Sequence, residues 1–111
     1  FHYGNYDSKA IEILGIRYKT SITHIQPHLI NISNSIFGKI YFPVYSNRLK
    51  ELGNYIGATW TSDNASGIQS LVWRHLWEDT QDEKFKQLLI TYNSEDCYAL
   101  KLLTDKLLQI Q

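Results

Sequence analysis

Cysteine is nearly absent: the 111 residues contain one, Cys97, which excludes an internal disulfide and fits a reducing compartment. Neither sign of charge is in excess, since 11 Lys and Arg face 11 Asp and Glu, so no net field argues for nucleic acid or a membrane surface. Neutrality still leaves room for a polyanion where a bound metal supplies positive charge locally. No apolar run approaches the roughly 20 residues of a membrane-spanning helix, and no secretory signal is present, so the expectation is a soluble, cytoplasmic protein. There are only two prolines, and there are no repeats, low-complexity stretches or linkers; residues 1–111 read as one domain. Methionine is missing altogether. The chain opens on Phe1-His2-Tyr3, as though inside an apolar strand, and is expected to be a piece of something longer.

What is present in quantity is apolar surface, 43% of residues, enough for a core in a small domain. Its clearest pattern lies at the end of the chain. At about 100° per residue, Phe85, Leu89, Tyr92, Ala99, Leu103, Leu107 and Ile110 share one face of a helix running Phe85 to Ile110, and Asp96 falls in the middle of that face. An unpaired carboxylate in apolar surroundings costs several kcal/mol, so Asp96 needs a cation, a metal or a set of donors. Tyr92 stands one turn before it on the same side. The competing reading is structural: Asn93 and Ser94 are good N-cap residues, and a helix that broke there would put Asp96 in a new first turn, stabilised by backbone N–H groups and the helix dipole.

In chain order, Phe1 to Tyr6 reads as a strand end turning at Gly4-Asn5, after which Asp7 or Ser8 caps a helix to about Tyr18 with Ala10, Ile11, Leu14 and Tyr18 on its apolar face. Asp7 has a capping role available, yet the carboxyl end of a strand is also where α/β folds place ligand groups. Pro27 suits the first turn of a helix carrying Leu29, Ile30 and Ile32 towards Ile36. His24 and His28 are four apart, but Pro27 between them and the lack of a nearby acid or cysteine argue for two partly exposed histidines rather than a zinc site. Lys39 to Tyr45 reads as a short strand with Pro43 at its edge, and Ser46 as the cap of a helix from Asn47 to about Tyr55, stopped at Gly57. Arg48 and Lys50 on that helix are candidates for phosphate contacts or for a solvated face. A polar loop from Thr59 to Ser66, anchored by Trp60, leads to a helix from Gly67 to Glu78 whose buried side is assigned to Ile68, Leu71, Val72 and His75 or Leu76. Trp73 and Trp77 sit on a different side around Arg74, where they would stack the bases of a single strand or serve as core or interface.

Two of these patterns resemble motifs of one family. Tyr92-x-x-x-Asp96 on a C-terminal helix resembles the third motif of the DEDD exonucleases in its tyrosine variant, and His2-Tyr3-Gly4-Asn5-Tyr6-Asp7 entering a helix resembles their second. The residues between extend the likeness. Ile40-Tyr41-Phe42-Pro43-Val44-Tyr45-Ser46-Asn47, then Ala65-Ser66-Gly67-Ile68-Gln69-Ser70 and Val72-Trp73-Arg74, then Tyr92-Asn93-Ser94-Glu95-Asp96-Cys97 resemble the RNase-H-like segment of predicted RecB-family nucleases, over nearly the whole chain.

The resemblance implies the C-terminal part of an RNase-H-like α/β fold, helix-rich with few short strands, and 3′–5′ exonuclease-like, metal-dependent hydrolysis of phosphodiester bonds in DNA or RNA. It implies two Mg2+ or Mn2+ ions held about 3.5 to 4 Å apart by carboxylates, with Asp7 and Asp96 as ligands and Tyr92 orienting the attacking water. The family's first motif, Asp-x-Glu, occurs nowhere in this sequence. The expectation is therefore a chain that by itself binds metal weakly and cleaves little or nothing, its partners being nucleic acid and either the missing N-terminal part or a second copy. Two further readings compete: a non-catalytic module binding nucleic acid or protein through Arg48, Lys50, Trp73, Arg74 and Trp77, and a structural helical domain in which Asp7 and Asp96 are caps.

Overall fold

Residues 1–110 are described by a computed structural model in which helices supply nearly all the regular structure. The chain divides into two compact units, Phe1–Leu52 and a second beginning at Gly53.

In the first unit, α1 spans Tyr6–Arg17 and follows Asn5, which occupies the cap position without a side-chain cap bond. Asp7 and Ser8 are thus inside the first turn rather than capping it; Ser8 Oγ donates back to the Asn5 carbonyl at 3.2 Å. The helix stops where Lys19 takes φ 52, its N–H reaching the Ile16 carbonyl and that of Thr20 the Gly15 carbonyl, a Schellman arrangement. The apolar face expected on α1 is only half realised: Ala10 and Ile11 are half-buried, whereas Leu14 and Tyr18 are exposed. The chain folds back over Gly15 instead, because a side chain is missing there; a Cβ would stand 2.9 Å from Ile22 Cγ2.

The helix expected through residues 27–36 does not form as one piece. Pro27 starts a single 3-10 turn, Gln26–His28, and α2 is confined to Ser33–Ile36. Between them the backbone is committed elsewhere: His2 N–H donates to Ile30 O and Ile32 N–H to His2 O, both at 2.9 Å, making a parallel bridge between His2 and Asn31. Among the described residues that bridge is the whole β structure, so of the α/β expectation only the helix-rich part is realised. Asn31 locks the bridge, its Oδ1 accepting from Gly4 N at 3.0 Å, Ser33 N at 3.1 Å and Ser33 Oγ at 2.8 Å. The strand expected at residues 39–45 is irregular, turning at Pro43 through a Val44 N–H to Phe42 O bond of 2.8 Å, with Tyr41 and Tyr45 exposed. A strand needs a ladder partner, and a γ-turn centred on a proline interrupts one. Ile32, Ile36 and Leu52 are the large buried apolar side chains of this unit.

Helix α3, Leu49–Ile56, carries the chain into the second unit. Ser46 does not cap it by side chain; Ser46 N–H instead donates to the Glu51 carboxylate at 2.8 Å. Gly57, at φ 99, ends α3 as the sequence indicates, with Gly57 N bonded to Asn54 O and Ala58 N to Gly53 O. After the loop, Ser66 caps α4 (Gly67–Thr80) by accepting from Gln69 N at 3.1 Å. Gln81 in the left-handed region closes it, and Asp82 Oδ1 accepts from Lys84 N to open α5, Glu83–Ile110. So short a connection makes α4 and α5 an antiparallel hairpin, and they pack on one another. Of the side of α4 expected to be buried only Leu76 is, and that by half: Ile68, Leu71, Val72 and His75 are exposed, while Trp73 is buried and Trp77 half-buried. Two indoles one turn apart offer more apolar area to the α5 contact than the aliphatic side does, and they take it.

Candidate functional site

Helix α5 runs without interruption through Asn93 and Ser94, so Asp96 lies in mid-helix and the break that would have made it a first-turn acid is not there. The face it interrupts is the expected one: Ala99, Leu103 and Leu107 are buried and Phe85, Leu89 and Tyr92 half-buried, although Ile110 is exposed. The acid is half-buried and has found donors. Trp60 Nε1 donates to Asp96 Oδ1 at 2.9 Å, and the Tyr92 phenol, one turn earlier on α5, donates to the same carboxylate.

Three things hold these groups in register. Gly53 on α3 leaves a seat for the Trp60 ring; a Cβ there would lie 2.7 Å from Trp60 Cη2 and 3.3 Å from Ala99 Cβ. Thr61, next in the loop, gives both its backbone N–H, at 2.8 Å, and its hydroxyl to Glu95 Oε1. The Tyr92 ring stands edge-on to Trp73, centroids 6.3 Å apart at 75°, which joins the site to the α4–α5 contact. Burial, then the neighbouring Asp96 charge and their hydrogen bond, raise the Tyr92 phenol above its ordinary value, so it remains a proton donor across the neutral range. A half-buried acid with an indole and a phenol directed at it is held in a fixed orientation, a suitable group for holding a cation or ordering a water.

Trp60 and Gly53 escaped the sequence reading as site residues. The available signal was the acid itself: a carboxylate on an apolar face demands a donor, and a tryptophan in a polar loop is one.

The other candidate residues are placed as follows. Asp7 is exposed in the first turn of α1, in the first unit, near the positive end of that helix. Arg48 is exposed and Lys50 half-buried, also in the first unit. Arg74 points to solvent and pairs with Glu78 at 2.9 Å. Trp73 and Trp77 do not flank it as an open stacking pair, because α4 turns them towards α5; at 6% exposure Trp73 has no free ring face for a base from solvent. His24 and His28 are both exposed, in line with the bland reading of them.

As a metal centre the carboxylates here are incomplete. Among the described residues no three His, Cys, Asp or Glu side chains are grouped to hold an ion, and one oxygen of Asp96 already accepts an indole N–H. The second unit by itself offers Asp96 and the phenol beside it, too small a set for a two-metal site.

Residues 1–108 match the family described as the RNase H superfamily. No curated protein and no solved structure matches the chain.

Proposed function

We propose, from the premise that this chain belongs to the RNase H superfamily, that it is the C-terminal part of a DEDD-type nuclease of the RecB-family kind, acting on phosphodiester bonds of DNA or RNA. The observation that carries this reading is the Tyr92–Asp96 pair: a half-buried carboxylate at the centre of an otherwise apolar helix face, with a phenol one turn away directed at it. Asp96 is the metal ligand of the second unit, Tyr92 orients the attacking water, and Asp7 is the ligand contributed from α1. Mg2+ or Mn2+ is the ion such oxygen donors suit. The acids of this chain do not complete the set, so hydrolysis requires the Asp-x-Glu pair to come from outside the sequence, and no step through the ions is assigned to this chain alone. Arg48 and Lys50 are the candidate backbone-phosphate contacts.

A time course on labelled single-stranded and duplex DNA with Mg2+ or Mn2+ tests the reading. This chain alone should cleave little or nothing, whereas a longer polypeptide joining it to an Asp-x-Glu strand should cleave, with a loss of about a hundredfold or more in Asp96→Asn. Full cleavage by that variant would sink the assignment. One observation favours the second reading, a non-catalytic module binding nucleic acid or protein: the Trp60 N–H gives one Asp96 oxygen a partner from within the chain. A longer polypeptide that binds nucleic acid yet never cleaves it would select that reading. Exposed Ile13, Ile16, Ile68 and Leu71 offer apolar surface for the remaining part of the nuclease or for self-association, which sedimentation of the purified chain would resolve.

A further inference from the structure

A cavity of about 360 Å3 opens in the first unit, between the first two turns of α1, the 3-10 turn and α2. That is at the small end of the pockets that hold compact ligands, roughly 300 to 1,000 Å3. Its most deeply buried lining residue is His2, at 6% exposure. The ring is fixed from one side: Nδ1 lies 2.8 Å from the Gly4 carbonyl, and since a carbonyl only accepts, Nδ1 carries the proton and donates it. Nε2 keeps its lone pair and, among the described residues, meets no donor. Among those residues Ser46 Oγ alone is a side-chain polar atom sealed from solvent without a partner, so His2 Nε2 is not sealed, and the surface the ring retains belongs to the cavity it lines. A buried acceptor held in one orientation and open to a cavity asks its occupant for a donor.

The surrounding groups narrow the occupant by their chemistry. Lys9 and Glu12 stand one turn apart on α1 and both line the cavity, so opposite charges offset there and neither a small anion nor a small organic cation is selected. A metal ion lacks a ligand set, since no three His, Cys, Asp or Glu side chains are grouped among the described residues. An apolar ligand would find only Leu29. What remains of the wall is carboxamide and hydroxyl. Asn5 accepts at Oδ1 from Asn31 Nδ2 at 3.3 Å and keeps its own amide N–H groups as donors. Ser8 gives its hydroxyl proton to the Asn5 carbonyl at 3.2 Å and keeps its oxygen as an acceptor. Gln26 and Asn34, both exposed, bring a donor and an acceptor each. Such a wall matches ligand groups that donate and accept at once, which are hydroxyls, and two neighbouring hydroxyls on a ring present them at a fixed separation.

We propose that this cavity binds the vicinal diol of a neutral sugar ring, one hydroxyl donating to His2 Nε2 and a C–H face of the ring resting on Leu29. The ring is that of a free monosaccharide or the ribose of a ribonucleoside, and binding measurements separate the two. Neither Asp96 nor any hydrolysis is involved, so the outcome is independent of the nuclease reading. The isotope-labelled chain is titrated with D-ribose and with uridine, each beside its 2-deoxy counterpart, and backbone amide shifts are followed by NMR. The amides of Asn5, Ser8, Lys9 and Asn34 should move, with a dissociation constant on the order of 1 mM. Loss of the 2-hydroxyl should weaken binding about tenfold or more. Ribose binding as well as uridine marks the free sugar as the ligand, and tighter binding of uridine marks the ribonucleoside. His2→Asn keeps a donor at the δ position for the Gly4 carbonyl and removes Nε2; it should lose about tenfold in affinity, its fold checked by far-UV circular dichroism. Asn34→Ala, at an exposed position, should lose about threefold and decides the matter where His2→Asn does not fold. Unmoved amides with both compounds at about 50 mM, 2-deoxy counterparts that bind as well as their parents, or full affinity in Asn34→Ala and in a folded His2→Asn would overturn the sugar site.

Discussion

Gly53→Ala sets two effects of opposite sign against each other at the seat of Trp60. In a helix interior alanine is favoured over glycine by about 0.8 to 1.0 kcal/mol, so the change should stabilise α3 if nothing faced the position. Here the new methyl would meet Trp60 Cη2 at 2.7 Å, with Trp60 Cζ3 and Ala99 Cβ both at 3.3 Å. The ring cannot swing aside cheaply, because its Nε1 is held by Asp96 at 2.9 Å, and Ala99 belongs to the rigid middle of α5. Overpacking of this kind costs about 1 to 3 kcal/mol, which at the least cancels the propensity gain and leaves a net loss of up to roughly 2 kcal/mol. Trp60→Phe supplies the control, since phenylalanine lacks the ring atoms that crowd the methyl. In that background Gly53→Ala should become stabilising by about 1 kcal/mol. Urea unfolding of the four proteins followed by far-UV circular dichroism measures the cycle without relying on Trp60 fluorescence. A Gly53→Ala chain more stable than its parent, or additive effects in the double variant, would refute the wedge.

Three further outcomes are expected. Burial raises Tyr3, and burial followed by the Asp96 charge raises Tyr92, above the ordinary 10.0; the folded state favours both neutral phenols, so the stability they contribute is intact below about pH 10 and is lost as pH climbs through the raised values. Asp96→Asn should move Tyr92 back part of the way, leaving the larger burial effect, and a phenolate absorbance titration that shows no movement would remove Asp96 from contact with it. Ser66→Ala should cost about 1 kcal/mol through the lost cap on Gln69 N, and Ser66→Asp only a few tenths, both read from urea midpoints. Asn31→Ala strips the acceptor shared by Gly4 N, Ser33 N and Ser33 Oγ; about 2 to 3 kcal/mol of destabilisation and faster amide exchange at Gly4 and Ser33 should follow, with Asn31→Asp much milder.

The parts legible in the sequence were those fixed within a few residues of themselves. Gly57 stops α3, Ser66 opens α4, and the apolar spacing of α5 correctly set Asp96 on an inward face. The parts that misled depend on partners remote in the chain. Periodicity alone gives a helix two candidate faces, and on α4 the weight of Trp73 and Trp77 overrode the aliphatic stripe. Residues 27–36 looked helical until the His2 backbone claimed Ile30 and Ile32. Trp60 stands 36 positions before the acid it serves, a pairing no local pattern announces.

Trp60 and Thr61 are adjacent, and so are the two acids they grip. Neighbouring residues of an α-helix project about 100° apart, so the paired tethers fix how the loop is rotated about α5 as well as where it sits along it. Adding or deleting a residue between Gly57 and Trp60 would slide both donors off together. The turn at Asp63 and Asn64, exposed and beyond the second tether, is where evolution or engineering can alter the loop's length and leave Asp96 held as it is.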